Sequence, residues 1–221
     1  MRAAAAPFRL TVAAGPLSPL HRSLVHKRGM LASNVAECGG FLRSLPNLAA
    51  PDLQWHFSPG FFLRHGFENP KKGNGLGLGM TLIAPFSKGE VRLQSADPRD
   101  KLMIDPQYCS DERDLHTLLR GYRITERIMS QPALKPYLQE RFMPAPGVAT
   151  EGEILHYLKG WVQTLYHPVG TCKMGQDEKA VVDASLRVWG IDQLRVVDAS
   201  IMPVIVRGNT NAPSMMIAEK A

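Results

Sequence analysis

The segment that decides the fold is Tyr166-His167-Pro168-Val169-Gly170-Thr171-Cys172-Lys173-Met174-Gly175. A helical pattern precedes it, which begins at the capping-box sequence Thr150–Glu153 and carries apolar residues on one side as far as Leu165. Pro168 must end such a helix, because the residue before a proline is disfavoured in the helical region. The pattern therefore predicts that His167 is the last residue of a long helix and is held at its end.

A strand-rich region comes before this helix. Residues 53–57 alternate in polarity, which is typical of a strand. Two more strands are predicted at residues 79–84 and 90–94, and the turn at residues 85–89 predicts that they pair as an antiparallel hairpin. The glycine-rich segment 73–79 matches neither phosphate-loop register and is predicted to be a flexible loop before a strand.

Helical spacing takes over after these strands. A first helix is predicted to start at Ser110 or Asp111, either of which can cap it, and to end near Pro132. A short strand is predicted at residues 194–197 and a further helix from Ser214. Strands that precede helices indicate an α+β fold, with a mixed, largely antiparallel sheet flanked by helices.

Composition and charge exclude several classes of protein. The chain has 221 residues, of which 44% are hydrophobic and 21% charged, as in an ordinary globular protein. The net charge is +6, but the basic residues are scattered, so no nucleic-acid partner is expected. No apolar run is long enough for a transmembrane helix. Residues 1–28 are basic, alanine-rich and predicted to be irregular.

The cysteines point to neither metal nor disulfide chemistry. Cys38, Cys109 and Cys172 are far apart and form no C-x-x-C pair, so no metal site is expected. Reduced thiols are typical of the cytoplasm, which is the predicted location, with peripheral membrane association left open. Cys172 follows His167 by five residues and could act with it as a nucleophile, but a small apolar filler is the favoured interpretation.

His167 is the residue of the deciding segment with the chemistry for proton transfer. Histidine has an ordinary pKa near 6.5 and serves as a general base near neutral pH. On chemistry alone, a structural or surface role is the more common one for a single histidine of this kind.

Three blocks of sequence together resemble the C-terminal half of the glucose–methanol–choline (GMC) oxidoreductases, which are flavoenzymes that oxidise alcohols. The blocks are Tyr166–Gly175, Arg195–Pro203 and Gly208–Pro213. The similarity continues upstream, in order and at family-like spacing, through residues 29–37, 51–57, 89–98 and 104–108. The pattern is most similar to that of choline and alcohol dehydrogenases.

The resemblance implies roles for individual residues. His167 falls on the position of the catalytic histidine, and Asn209 on that of a second His or Asn that binds the substrate oxygen, with Asn211 as second choice for this role. Without the family, residues 208–211 would be interpreted as a turn. The flavin-contacting positions implied are Asp198, Ala199, Asn209, Thr210 and Asn211; a structural role for Asp198 is equally compatible with the sequence.

His56 resembles a position that lines the substrate cavity of choline-oxidising members, although an ordinary surface or interior histidine is the more common case. The implied organisation is an irregular segment at 1–28, a substrate-binding region at 29–165, and a catalytic-histidine and flavin-contacting segment at 166–221. The substrate would be a small-molecule alcohol.

The cofactor implied by the family is flavin adenine dinucleotide (FAD), whose pyrophosphate needs a G-x-G-x-x-G turn. No such turn occurs in this sequence. An N-terminal FAD-binding half is therefore expected but absent, and the chain is predicted to be a fragment. The predicted function is FAD-dependent oxidation of an alcohol CH–OH group. The alternatives are a non-catalytic fragment or subunit that binds a partner polypeptide, and, last, a Cys172–His167 hydrolase.

Overall fold

The computed structural model describes residues 2–10 as backbone, single residues at 25, 27, 34 and 36, and residues 38–221 except 69, 71 and 72. The chain forms two compact units. The sheet unit contains Ala3–Leu82 and Leu115–Gln163, and the C-terminal unit contains Ile83–Asp114 and Thr164–Ala221. The predicted division at residues 28 and 165 remains a prediction.

Helices and antiparallel strands are both present, which confirms the predicted α+β class. The described strands are β1 (Arg2–Leu10), β2 (Cys38–Leu42), β3 (Leu53–Ser58), β4 (Asn74–Leu82), β5 (Glu90–Arg92), β6 (Met103–Asp105), β7 (Leu138–Arg141) and β8 (Gln163–Thr164). The α-helices longer than one turn are α1 (Glu112–Met129), α2 (Glu151–Trp161) and α3 (Asn211–Lys220). Within the described residues, no helix is long and apolar enough to cross a membrane.

The sheet unit is built on strands in the order β2-β3-β4-β1-β7, with β8 paired to β1. The predicted strand at 53–57 is confirmed as β3, which pairs antiparallel with both β2 and β4. Helix α1 packs closely on this sheet: a Cβ atom on Gly121 would lie 3.1 Å from side-chain atoms of Leu53 and Met80. The Trp55 indole donates to the Thr125 hydroxyl across the same interface at 2.8 Å, so a buried polar pair fixes the helix on the strands.

The start of the chain differs from the prediction. Residues 2–10 form strand β1, whereas the alanine- and proline-rich composition predicted an irregular segment. The pairing of β1 with β7 is antiparallel, with Phe8 opposite Arg141 and Leu10 opposite Leu138. This strand is stabilised by pairing with residues more than 120 positions away in the sequence. The composition of residues 1–28 alone gives no information about that pairing. Most of residues 11–28 lie outside the described residues.

The glycine-rich segment 73–79 is also a strand and not a flexible loop. It forms most of β4, whose residues are largely buried. Gly79 lies opposite His56 in the register with β3, and Gly77 lies opposite Ser58. A Cβ atom on Gly75 would lie 2.4 Å from the Phe61 ring, so here glycine permits close packing of an aromatic ring on a strand.

The predicted hairpin between residues 79–84 and 90–94 is wrong. Strand β5 pairs with β6 in a separate two-stranded sheet. The connecting loop is held by Asp114, whose fully buried carboxylate accepts from the backbone N–H of Phe86 at 2.8 Å and of Ser87 at 3.0 Å, and also from the Ser87 hydroxyl. These bonds fix the conformation of the loop between β4 and β5.

The two internal helices start as predicted. Asp111 accepts from the backbone N–H of Arg113 at the start of α1, which ends at Met129 before Pro132. The Thr150–Glu153 capping box at the start of α2 is formed in full. The predicted end of α2 is wrong: the helix stops at Trp161, where Val162 is extended, so His167 lies six residues beyond it. Pro168 is therefore not the residue that ends the helix.

Asp114 gives a test of this local architecture. We expect Asp114→Ala to lower the free energy of unfolding by about 3 kcal/mol, because two backbone donors and one hydroxyl lose a buried acceptor. Urea denaturation measures this change. The matched control is Asp100→Ala, an exposed aspartate that accepts from the Ser95 hydroxyl, for which a change within about 0.5 kcal/mol is expected. Equal effects of the two substitutions would contradict the anchoring role of Asp114.

Candidate active site

An apolar cluster in the C-terminal unit brings the three sequence blocks together. Its buried members are Val182, Leu186, Ile201, Met202 and Ile217. Val169 and Met174 of the deciding segment pack against them, as do Val196, Val197 and Ala199 of the second block. Ile217 belongs to α3, which begins directly after the third block. Burial of these side chains therefore fixes the three blocks with respect to one another.

Backbone hydrogen bonds align the deciding segment with the second block. The Cys172 N–H donates to the Ser200 carbonyl at 3.0 Å, and the Met174 N–H donates to the Ile201 carbonyl at 2.8 Å. The predicted strand at 194–197 is not formed; Arg195 makes an isolated bridge to Arg187 instead. The site is thus carried by loops that are joined by hydrogen bonds between their backbone N–H and carbonyl groups.

The backbone around His167 is held in an uncommon conformation. Tyr166 has a φ of 62°, in the left-handed region, and Gly170 has a φ of 90°. The Tyr166 N–H donates to the Thr164 hydroxyl at 3.0 Å. A non-glycine residue with positive φ persists where the surrounding structure enforces it. His167 is therefore presented from a defined turn and not from a helix end.

His167 contacts two consecutive residues that precede α3. Its Nε2 atom lies 3.0 Å from the amide Nδ2 of Asn209, and its Nδ1 atom lies 2.8 Å from the Thr210 hydroxyl oxygen. The Thr210 backbone N–H also donates to Nδ1, with an N···N distance of 3.4 Å. His167 is half-buried, Asn209 is exposed and Thr210 is buried. The structure thus brings together the residues that the resemblance assigned to base and oxygen ligand.

Burial lowers the pKa of His167 below its ordinary value of 6.5. The imidazole is therefore neutral at neutral pH, and one of its two nitrogens carries a lone pair. The Asn209 amide does not titrate in this range and can donate hydrogen bonds. The pair can consequently accept a proton at one atom and donate a hydrogen bond from another within 3.0 Å.

Asp198 and Ala199 have local structural contacts. The exposed carboxylate of Asp198 accepts from the Ser200 N–H at 2.7 Å and caps the single 3-10 turn Ala199–Ile201. The Ala199 side chain packs on the apolar cluster. The structural role that the sequence allowed for Asp198 is therefore present, and contact of either residue with a flavin stays a prediction.

Two further positions are implied by the resemblance, Asn211 and His56. Asn211 is exposed as the first residue of α3, a helix of ten residues. His56 lies on β3 in the sheet unit, half-buried and opposite Gly39 of β2. Its assignment to the substrate stays a prediction.

Cys172 is not a partner of the His167 ring. Both ring nitrogens are engaged by other residues, Nε2 by Asn209 and Nδ1 by Thr210. The Cys172 backbone instead joins the Ser200 segment. This arrangement gives no support to a Cys–His nucleophile.

The contact between Thr210 and His167 was missed by the sequence reasoning, which assigned Thr210 to the cofactor. A signal was available: a threonine directly before a helix normally caps it with its own hydroxyl. Thr210 makes no such side-chain cap: its backbone is in the helical region and not in the extended region of a usual cap, and its hydroxyl contacts His167.

Comparison with known proteins agrees with this geometry. The family model for GMC oxidoreductases matches residues 85–218, which include all three blocks. The chain belongs to the GMC oxidoreductase family. The resemblance that the sequence motifs indicated is thereby confirmed.

Curated relatives extend the match to most of the chain. An alcohol dehydrogenase [acceptor] of Pseudomonas putida is 44% identical over 195 residues, covering 88% of this chain and 35% of the relative. An oxygen-dependent choline dehydrogenase of Pseudomonas fluorescens is 43% identical over 197 residues, covering 89% of this chain and 35% of the relative. The chain thus spans about a third of the length of these GMC oxidoreductases.

Solved structures show the same fold. Pyridoxine 4-oxidase from Mesorbium loti matches with a TM-score of 0.81 at 28% identity, over 99% of this chain and 40% of its own. A formate oxidase matches with a TM-score of 0.85 at 24% identity, over 99% of this chain and 44% of its own, and supports the fold alone. In both comparisons this chain matches less than half of the length of the solved structure.

The lowered pKa of His167 can be measured. We expect its NMR titration midpoint to lie below 6.5, because burial penalises the imidazolium. The unfolded chain then binds more protons than the folded chain in the window below 6.5. Stability due to this group is therefore full above pH 6.5 and is lost as the pH falls through the folded-state pKa. His167→Gln assigns the resonance by its disappearance, and a midpoint at or above 6.5 would contradict the expectation.

Proposed function

We propose that this chain is the C-terminal region of an FAD-dependent GMC oxidoreductase that oxidises the CH–OH group of a small-molecule alcohol to a carbonyl. The observation that carries the proposal is the 3.0 Å contact between His167 Nε2 and Asn209 Nδ2 at an accessible position. The names of the 44% and 43% identical relatives, an alcohol and a choline dehydrogenase, support this reaction class.

The residues around the start of α3 suit the flavin end of FAD. The exposed amides of Asn209 and Asn211 lie at the positive end of a ten-residue helix, and such a place offers hydrogen-bond donors to carbonyl oxygens of a flavin ring. Thr210, Asp198 and Ala199 would contribute to the same surface. FAD, when bound, supplies the acceptor for the hydride that leaves the substrate carbon.

His167 is the general base of the proposed reaction. Its lowered pKa keeps the imidazole neutral at working pH, so a nitrogen lone pair is ready to take the hydroxyl proton. The rigid turn around Tyr166 fixes the direction of the ring. Holding base and substrate in one geometry lowers the entropic cost of reaching the transition state.

Asn209 is the oxygen ligand. Its amide Nδ2 lies 3.0 Å from Nε2 of His167. A substrate hydroxyl that inserts between them would donate to Nε2 and accept from the amide. As the proton moves to His167, negative charge grows on the substrate oxygen, and a fixed donor at that oxygen stabilises it.

The printed names of the relatives support the choice of substrate class. A primary aliphatic alcohol or a choline-like alcohol is proposed. His56 is proposed as a further substrate contact, and its place on β3 gives it a backbone held by pairing on both sides.

The base assignment is tested in a chimera in which this chain replaces the matching region of the P. putida alcohol dehydrogenase. We expect His167→Ala to slow anaerobic flavin reduction by alcohol by roughly 10²- to 10⁴-fold, the usual contribution of a positioned base. Stopped-flow absorbance of the flavin measures the rate. His116→Ala, which removes an exposed histidine on α1, is the matched control and should leave the rate unchanged. Near-normal reduction by His167→Ala would refute the assignment.

Asn209 is tested in the same chimera. Asn209→Ala should slow flavin reduction by roughly 10²- to 10³-fold, because the donor at the developing alkoxide is lost. Asn211→Ala, a neighbouring exposed amide, is the comparison. If Asn211→Ala has the larger effect on the chemical step, the oxygen-ligand assignment passes to Asn211.

The cofactor proposal has a simple test. Because the 221 residues contain no G-x-G-x-x-G turn for the pyrophosphate, we expect the isolated chain to lose added FAD on gel filtration and the chimera to retain it. Flavin absorbance in the protein peak is the readout. Retention by the isolated chain would show that its own residues suffice for tight binding.

A further inference from the structure

Thr210 occupies a helix N-cap but does not act as one. It precedes α3 with backbone angles of −87° and −3°, in the helical region, and its side chain accepts no hydrogen bond from the helix. A threonine at this place usually stabilises its helix by about 1 kcal/mol through such a bond. The buried hydroxyl is instead 2.8 Å from Nδ1 of His167. The Thr210 hydroxyl thus contacts the imidazole and not the start of its own helix.

The hydrogen bonds around the imidazole determine which nitrogen carries the proton. The Nδ2 amide of Asn209 can only donate, so Nε2 of His167 must accept and must be unprotonated. In a neutral ring the proton is then on Nδ1. Its neighbour at 2.8 Å is the Thr210 hydroxyl oxygen, which accepts this proton's hydrogen bond. The Thr210 backbone N–H donates to the same Nδ1 atom at 3.4 Å, a geometry that suits an unprotonated Nδ1, but it is longer and weaker than the 2.8 Å contact with the hydroxyl.

We propose that Thr210 is a positioning residue, whose hydroxyl holds His167 in the tautomer with Nδ1 protonated and so keeps the lone pair on Nε2 beside Asn209. The tautomer is a property of this chain alone. Its consequence for catalysis rests on the proposed function. In that function the substrate oxygen would contact both Nε2 of His167 and Nδ2 of Asn209, so the lone pair must be on Nε2. Thr210 acts through His167 and is not itself a catalytic residue.

The opposite network gives a distinct expectation. If the Thr210 hydroxyl and N–H both donated to Nδ1, then Nε2 would carry the proton and would donate to the carbonyl oxygen of a reversed Asn209 amide. His167 could then not accept a proton at Nε2. The two networks place the proton on different nitrogens, so a measurement of the tautomer separates them.

The first experiment uses the 221-residue chain labelled with ¹⁵N-histidine, at a pH above the His167 titration. Two-dimensional NMR distinguishes a protonated from an unprotonated ring nitrogen, and His167→Gln identifies the signal. We expect His167 to be protonated at Nδ1 and unprotonated at Nε2. Protonation at Nε2 in the unmodified chain would overturn the proposal without any variant of Thr210.

Substitutions then test whether Thr210 is the cause. Thr210→Val keeps the shape and removes the hydroxyl, and Thr210→Ser keeps the hydroxyl. We expect the valine variant to populate both tautomers and the serine variant to retain the Nδ1-protonated form. A valine variant with an unchanged tautomer would also overturn the proposal, and the remaining ¹H–¹⁵N spectrum reports whether each variant is folded.

The catalytic consequence is measured in the chimera with bound FAD. Thr210→Val should slow flavin reduction by about tenfold, the factor that corresponds to loss of one hydrogen bond between neutral groups, and Thr210→Ser should restore most of the rate. If His167→Ala leaves reduction intact, the proposed function fails while the tautomer result stands. If His167→Ala abolishes reduction but Nε2 is protonated in the spectrum, this inference alone fails.

Discussion

Burial of a small apolar cluster is the constraint on which the site depends. Val182, Leu186, Ile201 and Met202 come from stretches of chain with little regular structure, and Ile217 comes from helix α3. Each buried aliphatic side chain of this size contributes about 1.5–3 kcal/mol, which is enough to oppose the entropy of ordering the loops that carry it. Without this cluster, nothing in the local sequence of Tyr166–Gly175 would place His167 opposite Asn209.

A site built on loops needs polar order as well as burial. The bonds from Cys172 and Met174 to the carbonyls of Ser200 and Ile201 supply it, and they fix the register of the deciding segment against its neighbour. The left-handed Tyr166 then sets the direction of the next side chain. Hydrogen bonds between loops in this way restrict the backbone that carries His167 without a helix or strand at that residue.

Local patterns in the sequence were reliable where the stabilising partner is also local. The capping box at Thr150 and the cap at Asp111 were predictable for this reason, and both are confirmed. The predicted end of α2 was wrong. The apolar pattern continues to Leu165, but the backbone adopts an extended conformation at Val162. That continuation reflects packing after the helix, which periodicity does not distinguish from the helix itself.

Partners distant in sequence account for the remaining errors. Strand β1 exists through pairing with β7, and the loop after β4 is directed by Asp114, 27 residues beyond Ser87. A polarity pattern read over about ten residues does not include either partner. The pairing of His167 with Asn209 was available only through resemblance to a family, because 42 residues separate them and Gly208–Asn211 by itself is typical of a turn.

The chemistry of the three contacting side chains has one further consequence. Of His167, Asn209 and Thr210, only His167 changes charge near neutral pH. When it accepts a proton, the new cation contacts an amide and a hydroxyl, and neither of these two side chains titrates near neutral pH. A second histidine in place of Asn209 could itself become positive and would then repel the imidazolium at a separation near 3 Å. In the proposed reaction an amide would keep the hydrogen bond to the substrate oxygen without that repulsion, and burial is the largest cause of the lowered pKa of His167.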